Sequence, residues 1–284
     1  MQDVKMEGTR INEVRDQIQA VREVLLNRTD FDHLKVIHEV IDDTPYKTRN
    51  FMKYMHDEYY IEHQRKDIIE KSLRKYPLKV NHSKIQNKDI FSIIANRHSL
   101  RDYANKEVDF EVFSNIIHYS FGVKYWGMGA YNQKRFPFKY TNSQGGLNYL
   151  DLYIIVNKVE QLEKGLYYYD FIRDELCLID QGNMRPLISE INYQNEFTVY
   201  SNFVCLIVAD MERVVPKYYK RAYRFAHIDT GILAAYLQLL AEYHGLGSCC
   251  LAGYLEHKIE DLLGLNSNQY PILCMSFGHP PEEI

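Results

Sequence analysis

Apolar positions at Ile11, Val14, Ile18, Val21 and Leu25 keep a spacing of three or four and predict a helix over 10–28. Further helical stretches are expected near 31–41 and 48–76, punctuated by Pro45 and Pro77. This first part is rich in charge and poor in glycine, and it reads as a helical extension over residues 1–88. The texture changes near residue 89, where DIFSIIANRHSLRDY runs a short helix into a basic turn. Asp109 stands at an N-cap position before the helical pattern Phe110, Phe113, Ile116 and Ile117. Short apolar runs then dominate. LDLYIIVN (150–157) and NFVCLIVADM (202–211) predict strands, GLYYYDFIRDELCLI (165–179) a hairpin turning at Arg173 and Asp174, and PILCMSFG (271–278) a last strand. A long helix is predicted over 217–243, with Phe225, Ile228, Ile232, Tyr236, Leu239 and Tyr243 on its buried stripe and Gly245 ending it. A weaker helix covers 256–263. Strands and helices mix without a regular βαβ repeat, so residues 89–284 are expected to form an α+β domain.

Composition narrows the classes. The chain has 284 residues, 46% hydrophobic and 25% charged, which is ordinary for a globular protein. A net charge of −4 supplies no global basic field for nucleic acid. No apolar run approaches the roughly 20 residues of a membrane span, and the N-terminal residues lack the basic-then-apolar pattern of a signal peptide. Cys177, Cys205, Cys249, Cys250 and Cys274 are odd in number, fit no zinc spacing and mostly sit in apolar stretches. They read as buried free thiols in a reducing cytoplasm, with no metal site.

Two stretches carry candidate chemistry. Arg97-His98-Ser99-Leu100-Arg101 gathers two guanidiniums, an imidazole and a hydroxyl within five residues. A phosphate wants such a set of forked and neutral donors. By spacing alone the plainer reading is a solvated basic loop, since short basic clusters are common. PKYYKRAYRFAHIDTG (216–231) repeats Lys217, Lys220, Arg221 and Arg224 at helical spacing, padded with Tyr218, Tyr219 and Tyr223. Like charges so placed repel. The cluster is either a basic stripe paired with carboxylates, an arginine-rich dimer contact, or a device that depresses one lysine.

RHSLRDY resembles the N-terminal flavin-phosphate motif of the nitroreductase superfamily, Arg-[Arg/His]-Ser-x-[Arg/Lys]-x-[Phe/Tyr]. HGLGSCCLAGYLEHKIEDLLGL (244–265) resembles the superfamily's Gly-Leu-Gly-Ser-Cys-x-x-x-Gly-[Phe/Tyr] segment and the helix after it, and PILCMSFGHP its closing strand. The likeness spans roughly residues 89–281. Within it, NSQGGLNYLDLYIIV (142–156), GLYYYD (165–170) and KYYKRAYRFAHIDTG (217–231) are similar to signatures of the SagB-type dehydrogenases. These are the FMN-dependent azoline oxidases of thiazole/oxazole-modified peptide biosynthesis. Asn142, Gln144 and Asn148-Tyr149 depart from that pattern, and the PPEEI tail lacks the basic residues that often follow the last strand.

The resemblance implies a nitroreductase-like, mainly antiparallel sheet flanked by helices, and an FMN-dependent oxidoreductase. Its activity would be oxidation of thiazoline or oxazoline rings in a ribosomally made precursor peptide. Arg97, His98, Ser99 and Arg101 would take the FMN phosphate, ribityl and pyrimidine end. Leu251, Ala252 and Gly253 would offer backbone groups to the ring, and Ser143, Gly145 and Gly146 would reach it from the second subunit of a homodimer. Lys217 and Tyr218 would handle the proton, with Arg221 and Arg224 toward the peptide. Free lysine titrates near 10.4; the neighbouring cations, the helix N-terminus and partial burial are each expected to lower Lys217. A cyclodehydratase or other synthetase subunit is the expected partner, and the helical extension serves either to dock that machinery or the leader peptide or to pack against the core or the dimer mate. The alternatives are an NAD(P)H-dependent nitro or enone reductase, another flavin peptide-modifying enzyme, or a flavin-free scaffold subunit.

Overall fold

The structure, a computed structural model, describes residues 30–42, 65–82, 85, 87–129 and 135–281. The predicted helix at 10–28 and residues 48–64 of the stretch read as helical lie outside the described residues. The chain divides into two units, Met1–Pro45 and Tyr46–Ile284. The first contributes helix α1 (Asp30–Asp42), where Leu34, Val36, Ile37 and Val40 are exposed.

In the second unit the elements run α2 (Lys66–Lys71), β1 (Arg74–Pro77), α3 (Ile90–Asn96), α4 (Phe110–Phe121), β2 (Val123–Gly127), β3 (Phe136–Lys139) and β4 (Leu150–Val156). They continue β5 (Gly165–Asp170), β6 (Glu175–Gln181), α5 (Arg185–Ile191), β7 (Phe203–Asp210), α6 (Met211–Tyr218), α7 (Arg221–Tyr243), β8 (Gly247–Leu251), α8 (Glu256–Leu263) and β9 (Gln269–Gly278). Seven strands form one sheet in the order β1-β6-β5-β4-β7-β9-β8, antiparallel at each pairing. The expected α+β class and mainly antiparallel sheet are what the structure has.

Helices cover both faces, which explains why β4, β5 and β7 read as unbroken apolar runs rather than alternating ones. One face packs Leu152, Ile154, Phe203 and Phe277 against Phe113, Ile116 and Phe121 of α4 and Leu233 and Leu237 of α7. The other packs Tyr153, Ile155, Val204 and Leu206 against Ile69 of α2, Ile188 of α5 and Ile259 of α8. Asp109 caps α4 as expected, accepting from the Glu111 and Val112 amides.

Two sequence expectations are corrected. The helix read through residue 76 stops at Lys71, and Arg74–Pro77 instead pairs with β6 at one edge of the sheet. The long helix read as 217–243 is two helices. Tyr219, at φ 50 and ψ −136, breaks the chain between α6 and α7. The irregular stretch holding Trp126 and Phe136 is a hairpin of β2 and β3, with Tyr125 stacked on Phe138; Tyr131 lies outside the described residues.

Candidate active site

The RHSLR motif lies along the outer edge of β8. Ser99 bridges Ser248, and the Leu100 amide donates to the Ser248 carbonyl at 3.0 Å. Within the motif, apolar residues anchor and polar ones face outward. Leu100 is buried over Gly247, where an added Cβ would stand 2.1 Å from Leu100 Cδ2. Tyr103 donates from its hydroxyl to the Leu100 carbonyl and pairs with the Ser276 hydroxyl of β9 at 2.8 Å. That leaves His98, Ser99 and Arg101 exposed and Arg97 half-buried. Among the described residues no carboxylate forms an ion pair with Arg97 or Arg101. Arg101 acts on the Cys249 thiol and Arg97 on the exposed Cys250 thiol, each opposing the upward shift that burial imposes. Leu251 ends β8, and Ala252 and Gly253 follow it exposed, with open space where a Gly253 side chain would stand. The sequence therefore brought two distant motifs, 97–101 and 247–253, to one sheet edge.

The glycine loop and the lysine form a second group. Gly145 and Gly146 take φ +62 and +69, the left-handed region that glycine enters freely. A Cβ on Gly145 would stand 2.4 Å from the Tyr218 hydroxyl and 2.7 Å from Lys217 Nζ. A Cβ on Gly146 would stand 2.7 Å from the Phe136 ring. Ser143 accepts from the Asn148 amide at 3.0 Å and closes the loop. Asn148, one of the departures from the resembling pattern, takes φ 50, which asparagine tolerates better than most residues. Gly145, Lys217 and Tyr218 thus meet within one chain. Arg221 and Arg224 lie on the first turn of α7, half-buried and exposed respectively. The Tyr218 ring packs edge-on against Phe225 at 4.8 Å, holding the two helices together at their junction.

Lys217 sits in the last turn of α6, not at a helix start. A helix C-terminus favours a cation, so the dipole opposes a downward shift there. The Lys217 pKa is nevertheless lowered, and burial is what lowers it.

The charges that set α6 in place are not among the residues the motifs single out. Arg213 is buried and donates to both Asp151 oxygens at 2.9 and 2.7 Å, to Asp210 at 3.1 Å and to the Asn148 carbonyl at 3.0 Å. Burial alone would depress this guanidinium; Asp151 and Asp210 outweigh it and hold the pKa above its ordinary value. Arg213 thereby ties the helix that carries Lys217 to the end of the glycine loop. One signal was available: Asp151 is an acid inside the otherwise apolar run LDLYIIV, and a buried charge needs a partner.

The two groups lie in different parts of the sheet. β4, which follows the glycine loop, is separated from β8 by β7 and β9, three strand spacings or about 14 Å.

The nitroreductase family model matches residues 94–279, about two-thirds of the chain. The chain belongs to the nitroreductase family. Members of this family are flavin- and NAD(P)H-linked oxidoreductases and typically bind FMN. A protein of Methanocaldococcus jannaschii carrying a nitroreductase name is 25% identical over 190 residues, 67% of this chain and 90% of the relative. A nitroreductase-named structure from Anabaena variabilis is 22% identical with a TM-score of 0.61, covering 73% of this chain. This chain spans only 42% of that protein's length. A chain of the E. coli microcin synthetase McbBCD complex, with truncated pro-MccB17 bound, aligns at a TM-score of 0.54 and 15% identity. It covers 92% of this chain and 97% of its own. At these identities the two structural likenesses speak for the shared fold.

Proposed function

We propose that this family member is an FMN-dependent azoline dehydrogenase acting on a ribosomally made precursor peptide. The observation that carries the reading is the meeting of Lys217 Nζ, the Tyr218 hydroxyl and the backbone of Gly145. Aromatising a thiazoline or oxazoline removes a hydride and a proton from adjacent ring carbons. The proton needs a base whose pKa approaches the working pH. Burial moves Lys217 in that direction. Tyr218 beside it is placed to donate a hydrogen bond to the amine or to orient the ring. Simple reduction of a nitro group needs no such pair.

The chain's residues fit FMN. Two guanidiniums free of carboxylate ion pairs among the described residues, with Ser99 and His98 between them, are a donor set for a phosphate. The open space over Gly253 leaves room for a flat ring against the backbone. FMN, when bound, supplies a two-electron acceptor for the hydride. Arg97, His98, Ser99 and Arg101 would hold its phosphate, ribityl and pyrimidine end, and Leu251, Ala252 and Gly253 its ring. Ser143, Gly145 and Gly146 would come from the partner of a homodimer. An apolar face supports that partner: Tyr223, Ile228 and Tyr236 on α7 are 41–47% exposed, with Phe91 and Ile94 of α3 exposed nearby in the fold. Arg221 and Arg224 would meet the peptide. An open groove of about 430 Å³ runs along α6, lined by Glu212, Val215, Pro216 and Tyr270 among others, and offers the peptide a path on the helix that holds Lys217. The likeness to a chain of the microcin synthetase complex, which extends over 92% of this chain, is compatible with a peptide-modifying partner.

The experiment is Lys217→Ala. It should keep bound flavin and lose azoline oxidation; retained turnover would overturn the base assignment. The nitroreductase-named relative favours a second reading, an NAD(P)H-dependent reductase of nitro or enone substrates. That activity would survive Lys217→Ala.

A further inference from the structure

We propose that Asp229 is a positioning residue of this site: its carboxylate fastens both ends of the glycine loop and so holds Gly145 over the Lys217 amine. The proposal rests on the reading of Lys217 as the proton acceptor. Asp229 stands in the third turn of α7 and is 1% exposed. One oxygen, Oδ2, accepts from the Gln144 amide at 2.7 Å and from the Tyr149 hydroxyl at 2.6 Å. Those two donors bracket the loop 144–149. Between them the chain has two glycines at positive φ, which supply little stiffness of their own. Within the loop, Gly146 donates to the Ser143 carbonyl at 2.8 Å and Asn148 to the Ser143 hydroxyl. These bonds shape the loop but do not fix it to α7. The charged acceptor does, and bonds to a carboxylate are about twice as strong as neutral ones.

The geometry connects this clamp to the lysine. Gly145 is the loop residue against Lys217 Nζ and the Tyr218 hydroxyl, so the loop is part of what shields the amine from water. Burial lowers Lys217; loosening the loop would return it toward an ordinary lysine. The titratable groups facing Asp229 are Tyr149 and, across a small cavity of about 10 Å³ that Asp229 lines with Ser143 and Asn148, Lys139 of β3. The Lys139 amine lies among the Phe121 and Phe171 rings, and burial holds its pKa well down. Around Lys217 the charged neighbours in sequence are Glu212 and Arg213 before it on α6 and Lys220, Arg221 and Arg224 after it, with Tyr218 in contact range of the same glycine. Burial raises Asp229, and its bonds to Tyr149 and Gln144 pull it back.

The test uses the full chain without substrate, before and after adding FMN. The rate at which an amine-reactive ester acylates Lys217 is followed by peptide mass spectrometry across pH and normalised to its own plateau. Amide hydrogen exchange is measured over 144–147 in the same samples. Asp229→Ala should speed exchange at those amides and raise the Lys217 midpoint by about one unit, a tenfold loss of free amine at a given pH below it. Tyr149→Phe keeps the ring packed and removes one of the two bonds, so it should move both readouts in the same direction by less. It stands as the test if Asp229→Ala fails to fold. Faster exchange with an unmoved Lys217 midpoint would make Asp229 a structural residue only and overturn the proposal. Unchanged exchange in both variants would overturn the clamp itself. Neither readout involves turnover, so a shifted midpoint in a protein that never oxidises an azoline would leave the clamp standing and remove the reaction.

Discussion

Lys217 must be neutral to accept a proton, and burial sets how readily it becomes so. Its folded pKa lies below the ordinary lysine value, so the neutral form gains with rising pH earlier than for an exposed lysine. We therefore expect kcat for azoline oxidation to rise with pH through a limb below the ordinary lysine range, measured in stopped-flow or steady-state profiles. A rate flat with pH over that range would remove Lys217 from the proton step. Gly145 makes a second prediction at this scale. Alanine there meets a left-handed backbone, costing about 1–2 kcal/mol. It also meets the Tyr218 hydroxyl and the Lys217 amine at under 3 Å. Thermal unfolding should show the loss, and a displacement of that size should lower kcat about 100-fold with flavin still bound. These contacts were invisible in the sequence. Its glycines and its lysine were legible as motifs, but Gly145 and Lys217 are 72 positions apart, and only the tertiary fold brings them together.

Elements were legible where a single physical cause dominates. Strands buried on both faces announce themselves as apolar runs, and Asp109 announces a helix start. The junction of α6 and α7 did not, because nothing in YYKRAY forbids a continuous helix; the break is a tertiary choice at Tyr219. The α7 stripe was misread for a related reason. The buried side pairs Leu233 and Leu237 with the small residues Ala222, Ala226, Ala234 and Ala241, while the large residues Ile228 and Tyr236 stay 45% and 41% exposed. A helix apolar on two sides offers two stripes, and size favours the wrong one. At the sheet edge, Gly247 gives Leu100 its seat and so anchors the basic motif. Gly247→Val should displace Leu100, destabilise the domain by about 1–3 kcal/mol and weaken FMN binding in a fluorescence titration. Unchanged FMN affinity would separate the motif from the cofactor.

For the whole molecule, the unit boundary at residue 45 matters to design. A cut near residue 80 would remove β1, an edge strand of the sheet, along with the extension. Deleting 1–45 instead should leave flavin affinity unchanged and weaken capture of the peptide or of the synthetase partner, measured by co-purification. Equal capture by the shortened chain would take the docking role away from the extension. Among the described residues no helix is long and apolar enough to cross a membrane. Four of the five cysteines are buried and all five are free, as composition suggested.

The most direct measurement of the central claim is the visible spectrum of the purified full-length chain with FMN, recorded anaerobically on adding a thiazoline-containing peptide and, separately, NADPH. The peptide should bleach the flavin band in the wild type and not in Lys217→Ala. A flavin that NADPH reduces readily but the thiazoline peptide leaves oxidised would contradict it and make the protein a reductase.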